Sequence, residues 1–287
     1  MNEVTVTCYQ KDIMTPTNKV YCDALGRTVN IPQKPQRIVS LVSSMTETLF
    51  ELNYGQHVAG VSTYCSRYVR DLSAPIVGDY LVVDEDKLKA IDPDLILMTG
   101  GIQHNVAKRL ADKGFPVYIF PLPNSLYGIL ENVITLGALI DEMDSARELT
   151  RRWERFSLNL DDGAKKPRPR VYAELWLGKH ARTPGGLTFI HDIIESAGGE
   201  NIFGNRRQGY LPLNLEEVTR LNPDIMIAFS EPDYPVDFQS LLAERGWTKS
   251  MPNLRVIESN VTRGMNMIHD GPSMMQTVSW LRQQVFR

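Results

Sequence analysis

The stretch LKAIDPDLILMTGG (88–101) is written nearly again as VTRLNPDIMIAFSE (218–231). Each runs from a helix end through Asp or Asn, Pro and Asp into four or five apolar residues, then into small or polar ones. Proline cannot continue the helix before it and pushes the preceding residue towards extended geometry. The apolar run that follows fits a strand covered on both faces. One copy would be an ordinary helix-to-strand junction. Two copies, with Pro93 and Pro223 130 residues apart, predict one architecture built twice.

The flanking segments extend the repeat. RIVSL (37–41) is short, apolar and β-branched, a buried-strand pattern, and RVYAEL (170–175) matches it. SSMTETLFELNYG follows the first, with Ser43 or Ser44 as helix cap, Glu47 near the first turn and Gly55 as stop; LTFIHDIIESAGG is its counterpart. VAGVS adds a strand, and PVYIF pairs with LRVIES. Strands alternating with helices predict parallel sheets with right-handed crossovers. Between the halves, apolar residues from Leu126 to Leu160 recur at three- and four-residue steps with no proline between Pro123 and Pro167. That spacing predicts one helix of about 50 Å. The expected organisation is an α/β protein of two Rossmann-like lobes. Residues 1–125 form the N-terminal lobe with an arm and a hairpin around Gly26, 126–164 the inter-lobe helix, and 165–287 the C-terminal lobe. The ligand cleft lies between the lobes, beyond the carboxyl ends of the strands.

Bulk properties narrow the function. A net charge of -3 over 287 residues gives no nucleic-acid or polybasic membrane surface. No window approaches the roughly 18 apolar residues of a membrane span. The N-terminus lacks the basic start and apolar core of a secretion signal, and Cys8 does not stand in a lipoprotein cleavage pattern. Cys8, Cys22 and Cys65 are odd in number and none forms a C-x-x-C pair, so neither a metal knuckle nor a disulfide framework is indicated.

DALGRTVNIPQKPQRIVSLVSSMTETLFEL, VGDYLVVDEDKLKAIDPDLILM and TFIHDIIESAGGENIF together resemble the solute-binding proteins of ABC importers, in the class with a rigid inter-lobe helix. The resemblance covers residues 20–285. It implies a binding protein rather than an enzyme, without a cofactor of its own, for a metal chelate: cobalamin, a ferric siderophore or haem. WLGKHARTPGGLTFI and VSTYCSRY look most like the cobalamin branch, although GKHAR is more basic than usual there. It further implies a monomer working with an ABC permease and its ATPase, outside the cytoplasm; a cytoplasmic carrier of the same chelates stays open. The family docks through one exposed glutamate per lobe. The matching positions are Glu47 in SSMTETL and Glu216 in PLNLEEV, with Glu217 as a one-residue alternative; both also suit the first turn of a helix.

Strand-end loops supply the candidate ligand contacts. They are Ser44, Tyr64, Tyr80, Gln103 and His104 in the first half, and Trp176, Lys179, His180, Arg182, Arg207, Tyr210, Arg263, Met265 and His269 in the second. Aromatics give broad contact to a flat ligand, and the cationic side chains suit carboxylates. No side chain is expected to hold a metal of the protein's own, but His269 could serve as axial ligand to a cobalt or iron in the cargo. Cys65 reads as a packing residue. A rival from another class is a tetrapyrrole metal chelatase, for which His269, Asp270 and Glu231 are the available pieces. No G-x-S-x-G, H-E-x-x-H or phosphate-loop motif occurs.

Overall fold

The computed structural model describes residues 16–160, 167–177 and 180–287. Cys8 and Lys179 lie outside the described residues. The N-terminal lobe opens with an antiparallel hairpin, β1 (Thr17–Cys22) and β2 (Arg27–Pro32), turning at Gly26 in the left-handed region (φ 63). Cys22, Val29 and Ile31 of this hairpin are buried, so it is part of the lobe's packing. There follow β3 (Ile38–Ser40), α1 (Ser43–Glu51), β4 (Val58–Ser62), β5 (Ile76–Gly78), α2 (Glu85–Ile91), β6 (Leu95–Thr99), α3 (His104–Asp112) and β7 (Val117–Phe120). The strands form one parallel sheet in the order β5-β4-β3-β6-β7.

Two helices, α4 (Leu126–Leu139) and α5 (Met143–Leu160), lead to the second lobe. It comprises β8 (Arg170–Glu174), β9 (Arg182–Pro184), α6 (Phe189–Ser196), β10 (Glu200–Asn201), β11 (Tyr210–Pro212), α7 (Leu215–Leu221), β12 (Ile225–Phe229), α8 (Phe238–Glu244), α9 (Trp247–Ser250), β13 (Arg255–Ser259) and α10 (Met274–Val285). Its main sheet is parallel in the order β10-β8-β12-β13, and β9 pairs with β11 in a small antiparallel flap. The central trio β3-β6-β7 of one lobe therefore has its counterpart in β8-β12-β13 of the other, as the repeated phrase predicts.

The phrase has a structural reason in each copy. α2 is capped by Asp84, whose side chain accepts from the Lys87 amide, and α7 by Asn214, accepting from the Glu217 amide. Each helix closes on the residue before proline, Asp92 (φ 49) and Asn222 (φ 47). These residues are left-handed rather than extended; Asp and Asn tolerate that conformation better than other side chains. After the proline, Asp94 accepts from the amides of Gln36 and Arg37, just before β3. Asp224 accepts from the Arg170 amide at the start of β8. The aspartate after each proline thus fixes the strand beside its own.

The single inter-lobe helix is corrected to a helical hairpin. The chain turns at Ile140–Glu142, where Asp141 is left-handed (φ 59) and accepts from the Gln33 side chain. Gly137 lies against Ala146 with no room for a Cβ, and Ile134 and Thr135 of α4 share a groove with Thr150 of α5. Two antiparallel helices each bury an apolar stripe, and the stripes join in sequence without a Pro or Gly at the corner. The hairpin ties both lobes: the Leu126 amide donates to Asp192 on α6, and Arg152 pairs with Glu51 on α1. One continuous apolar cluster runs through Met45 of α1, Val133 of α4, Ile193 of α6 and Met274 of α10. Helix α1 begins at Ser43 with Val42 in the cap position, so neither Ser43 nor Ser44 caps it.

Candidate functional site

Helix α1 follows β3 and aims its inner face at the opposite lobe. Glu47, five residues into that helix, is 1% exposed. Its carboxylate accepts from Arg263 Nε (2.7 Å), His269 Nε2 (2.8 Å), the Ser273 amide (3.1 Å) and Ser273 Oγ (3.0 Å). All four donors belong to the segment between β13 and α10. Burial would push the Glu47 carboxyl up. Its bonds and charge interactions with His269, the Ser273 amide and Arg263 outweigh burial and hold it below the usual carboxylate range. Arg263 also reaches Glu51. Beside this latch, Tyr68 stacks on the His269 ring at 3.6 Å, and Asn266 Nδ2 donates to the Tyr68 hydroxyl. Gly271 runs so close to His269 and Glu47 that a Cβ would collide with both.

A cavity of about 140 Å³ opens beside the latch, between the lobes. Its N-terminal wall is aromatic: Tyr64 stacks on Tyr80 (4.5 Å between centroids), Tyr68 adjoins them, and Ser43 Oγ lies 3.5 Å from the Tyr80 hydroxyl. The Arg67 guanidinium sits 4.9 Å from the Tyr64 ring centroid. The opposite wall carries Glu231, Asp233, Asn266, His269 and Asp270. Burial pushes the Tyr68 phenol up to about 12 and raises Tyr80 and Tyr210 as well, with Asp270 adding to each. These phenols stay protonated near neutral pH. Outside the cavity, Trp176 meets Tyr210 edge to face at 5.1 Å. Leu81, Ile102 and Leu122, in the loops after β5, β6 and β7, and Leu187 are more than half exposed.

Of the candidates read from sequence, Tyr64, Tyr80 and His269 line the cavity. Trp176 and Tyr210 form an aromatic pair in the C-terminal lobe, Trp176 in the left-handed region (φ 55). The rest are placed differently. Ser44 is fully buried with no hydrogen-bond partner in its hydroxyl's reach, and its neighbour Ser43 takes the cavity position. Gln103 is a buried brace, accepting from the Thr99 amide and donating to the Leu41 carbonyl. His104 starts α3 and does not line the cavity. His180, Arg182 and Arg207 are exposed and do not line it either. Arg263 is committed to Glu47 and Glu51. Met265 lies beside Ser259, whose hydroxyl donates to its carbonyl. Cys65 is buried against Thr46 and Ser62, and burial raises its thiol, as suits a packing residue.

The expectation of an exposed docking glutamate at Glu47 is overturned by its burial, whereas Glu216 is exposed in the first turn of α7. Arg67, Tyr68 and Asn266 were not singled out as candidates. Tyr68 lies four residues beyond Tyr64 in the same strand-end loop, which was the available signal. Asp270 and Glu231 were weighed only as chelatase pieces, yet both line the cavity with His269.

Two parallel-sheet lobes closing on a cavity beside their strand ends define a two-lobed ligand-binding protein. Residues 38–258 match the periplasmic binding protein family, and the chain belongs to it. A cobalamin-binding protein of Halobacterium salinarum is 29% identical over 213 residues, covering 71% of this chain and 57% of that protein. The chain thus spans little more than half the length of that relative. An uncharacterized ABC transporter substrate-binding lipoprotein of Bacillus subtilis is 23% identical over 276 residues, covering 92% of this chain and 84% of the other. Among solved structures, a periplasmic haem-binding protein of Vibrio cholerae superposes with a TM-score of 0.74 at 17% identity, covering 88% of this chain and 99% of that one. It shows the same fold. No helix among the described residues is long and apolar enough to cross a membrane.

Proposed function

We propose that the chain is the substrate-binding component of an ABC importer, acting outside the cytoplasm as a monomer, and that it captures a metal chelate between its lobes. A corrinoid stands first, a ferric siderophore second and haem third. The observation that carries this reading is the stacked Tyr64–Tyr80 wall in an inter-lobe cavity, with apolar side chains exposed at the neighbouring strand ends. Broad aromatic contact suits a large, flat ligand. The Halobacterium relative supports the corrinoid order. The cavity is smaller than the roughly 300–1,000 Å³ of a drug-sized site, so a macrocycle would rest largely on the surrounding apolar surface. His269 spends Nε2 on Glu47, leaving only Nδ1 for an axial bond.

Titration with cobalamin, cobinamide, a ferric siderophore and haem, read by absorbance and tryptophan quenching, tests this. One corrinoid per chain, bound more tightly than the others, is the expected result. Preference for haem or a siderophore would replace the ligand, and porphyrin metallation with turnover would replace the binding role with the chelatase.

Docking would use Asp86 and Glu216. The repeat offset of 130 residues makes Asp86 the N-terminal counterpart of Glu216. Each lies second in an equivalent seven-residue helix, capped by Asp84 or Asn214, and each is exposed. Exposed carboxylates on separate lobes suit arginines of a two-fold permease and set orientation more than affinity.

A further inference from the structure

We propose that unpaired carboxylates in the inter-lobe cavity select a macrocycle edged with neutral amides and reject one edged with carboxylates. This rests on the cleft being the ligand site, and it narrows the chemistry of what enters.

The charge of the described lining is one-sided, although the hydroxyls of Ser43, Tyr64, Tyr68 and Tyr80 and the Asn266 amide put donors there too. Glu231, Asp233 and Asp270 face the cavity, and none of their carboxylates has a hydrogen bond or ion pair among the described residues. Among the described residues of the lining Arg67 is the one guanidinium, and it lies over the Tyr64 ring. His269, 4% exposed, also lines the cavity. Glu47 is ionised and can only accept, so His269 Nε2 must carry the proton of their 2.8 Å bond. His269 Nδ1 is the remaining polar atom of a buried side chain that lines the cavity, with no partner among the described residues. The bond to Glu47 fixes the ring's orientation.

A site with an excess of unpaired carboxylates rejects a ligand that brings further carboxylates. A carboxylate beside Glu231 or Asp270 meets like charge in a partly desolvated space. A primary amide there offers N–H donors to groups that would otherwise lose water without return. Corrinoids carry peripheral primary amides, whereas haem carries two propionates and many ferric chelates are anionic.

The test uses matched pairs on one skeleton. Cobinamide is compared with cobyrinic acid, which keeps the cobalt and ring but carries carboxylates in place of the amides. Haem is compared with its bis-amide. The expected result is at least hundredfold tighter binding of the amide within the pair that binds. The Glu231→Gln, Asp270→Asn double variant should shrink that ratio at least tenfold; both positions lie in loops, and thermal melting checks the variant's fold. Equal affinity within a pair, or a ratio the double variant does not move, overturns the proposal. If only the porphyrin pair binds, the corrinoid reading falls while amide preference is still read from that pair. Binding of neither pair overturns both.

Discussion

The Glu47 carboxylate gathers four donors from the opposite lobe, so its removal strands a buried imidazole and a guanidinium together. Breaking a buried charge network by deleting one partner costs about 3–5 kcal/mol. Glu47→Ala should lose that much in urea unfolding; an unchanged midpoint and slope would show that the latch contributes nothing. The pH dependence follows from direction. The folded-state carboxyl sits below its unfolded value, so its contribution is complete above the ordinary glutamate range. It is lost as pH falls through the lower folded value. Glu47→Gln should remove that acid-side loss. Gly271→Ala attacks the same network from the backbone side, since its Cβ collides with His269 and Glu47. It should melt well below the parent, with Gly209→Ala as the control, where an added Cβ meets only the Leu187 carbonyl oxygen at 3.8 Å. Sequence spacing placed Glu47 in a helix but could not say which face would meet a partner 222 residues away in the chain.

Among elements, the repeated phrase was legible because its parts act locally: helix cap, proline and apolar run. The sequence pattern also placed the strand pairs β3/β8 and β6/β12 in register with each other. It did not disclose the task of the aspartate after each proline. Asp94 holds two amides of the neighbouring strand's approach and Asp224 holds one. Asp94→Ala should therefore destabilise by about 1 kcal/mol or somewhat more, and Asp224→Ala by less. Thermal melting of the two variants gives the order, and the reverse order would sink the explanation. The α4–α5 corner was hidden for a different reason. Helical periodicity reports which residues are buried, not whether their helix is straight, and an Asp in left-handed geometry makes the turn without proline or glycine. The cavity was half legible. Tyr64 and Tyr80 follow from the rule that strand ends carry function. Gln103 shares that address but folds back on Thr99 and Leu41, a choice only packing decides.

For the whole molecule, three ties join the lobes: the helical hairpin, the Glu47 latch and the continuous apolar cluster. Motion on binding should be small rotations and loop ordering rather than wide hinge closure. Small-angle scattering should show nearly the same radius of gyration with and without ligand. A large compaction would mean the ties do not hold in solution.

The same rigidity gives docking its geometry, because two carboxylates can address a two-fold permease only if their separation is fixed. Asp86 is 94% exposed in its side chain and, among the described residues, pairs only with Lys89 on its own helix, a contact of little energetic weight. Asp86→Lys with Glu216→Lys should therefore leave melting temperature and ligand affinity near the parent's while abolishing uptake in cells that depend on this carrier. Glu47→Lys should act oppositely: a second cation against Arg263 and His269 would unfold or loosen the latch, so uptake fails together with stability. If the exposed pair can be reversed without loss of uptake, docking runs through another surface. If reversing it also lowers ligand affinity, these residues report on the cleft instead.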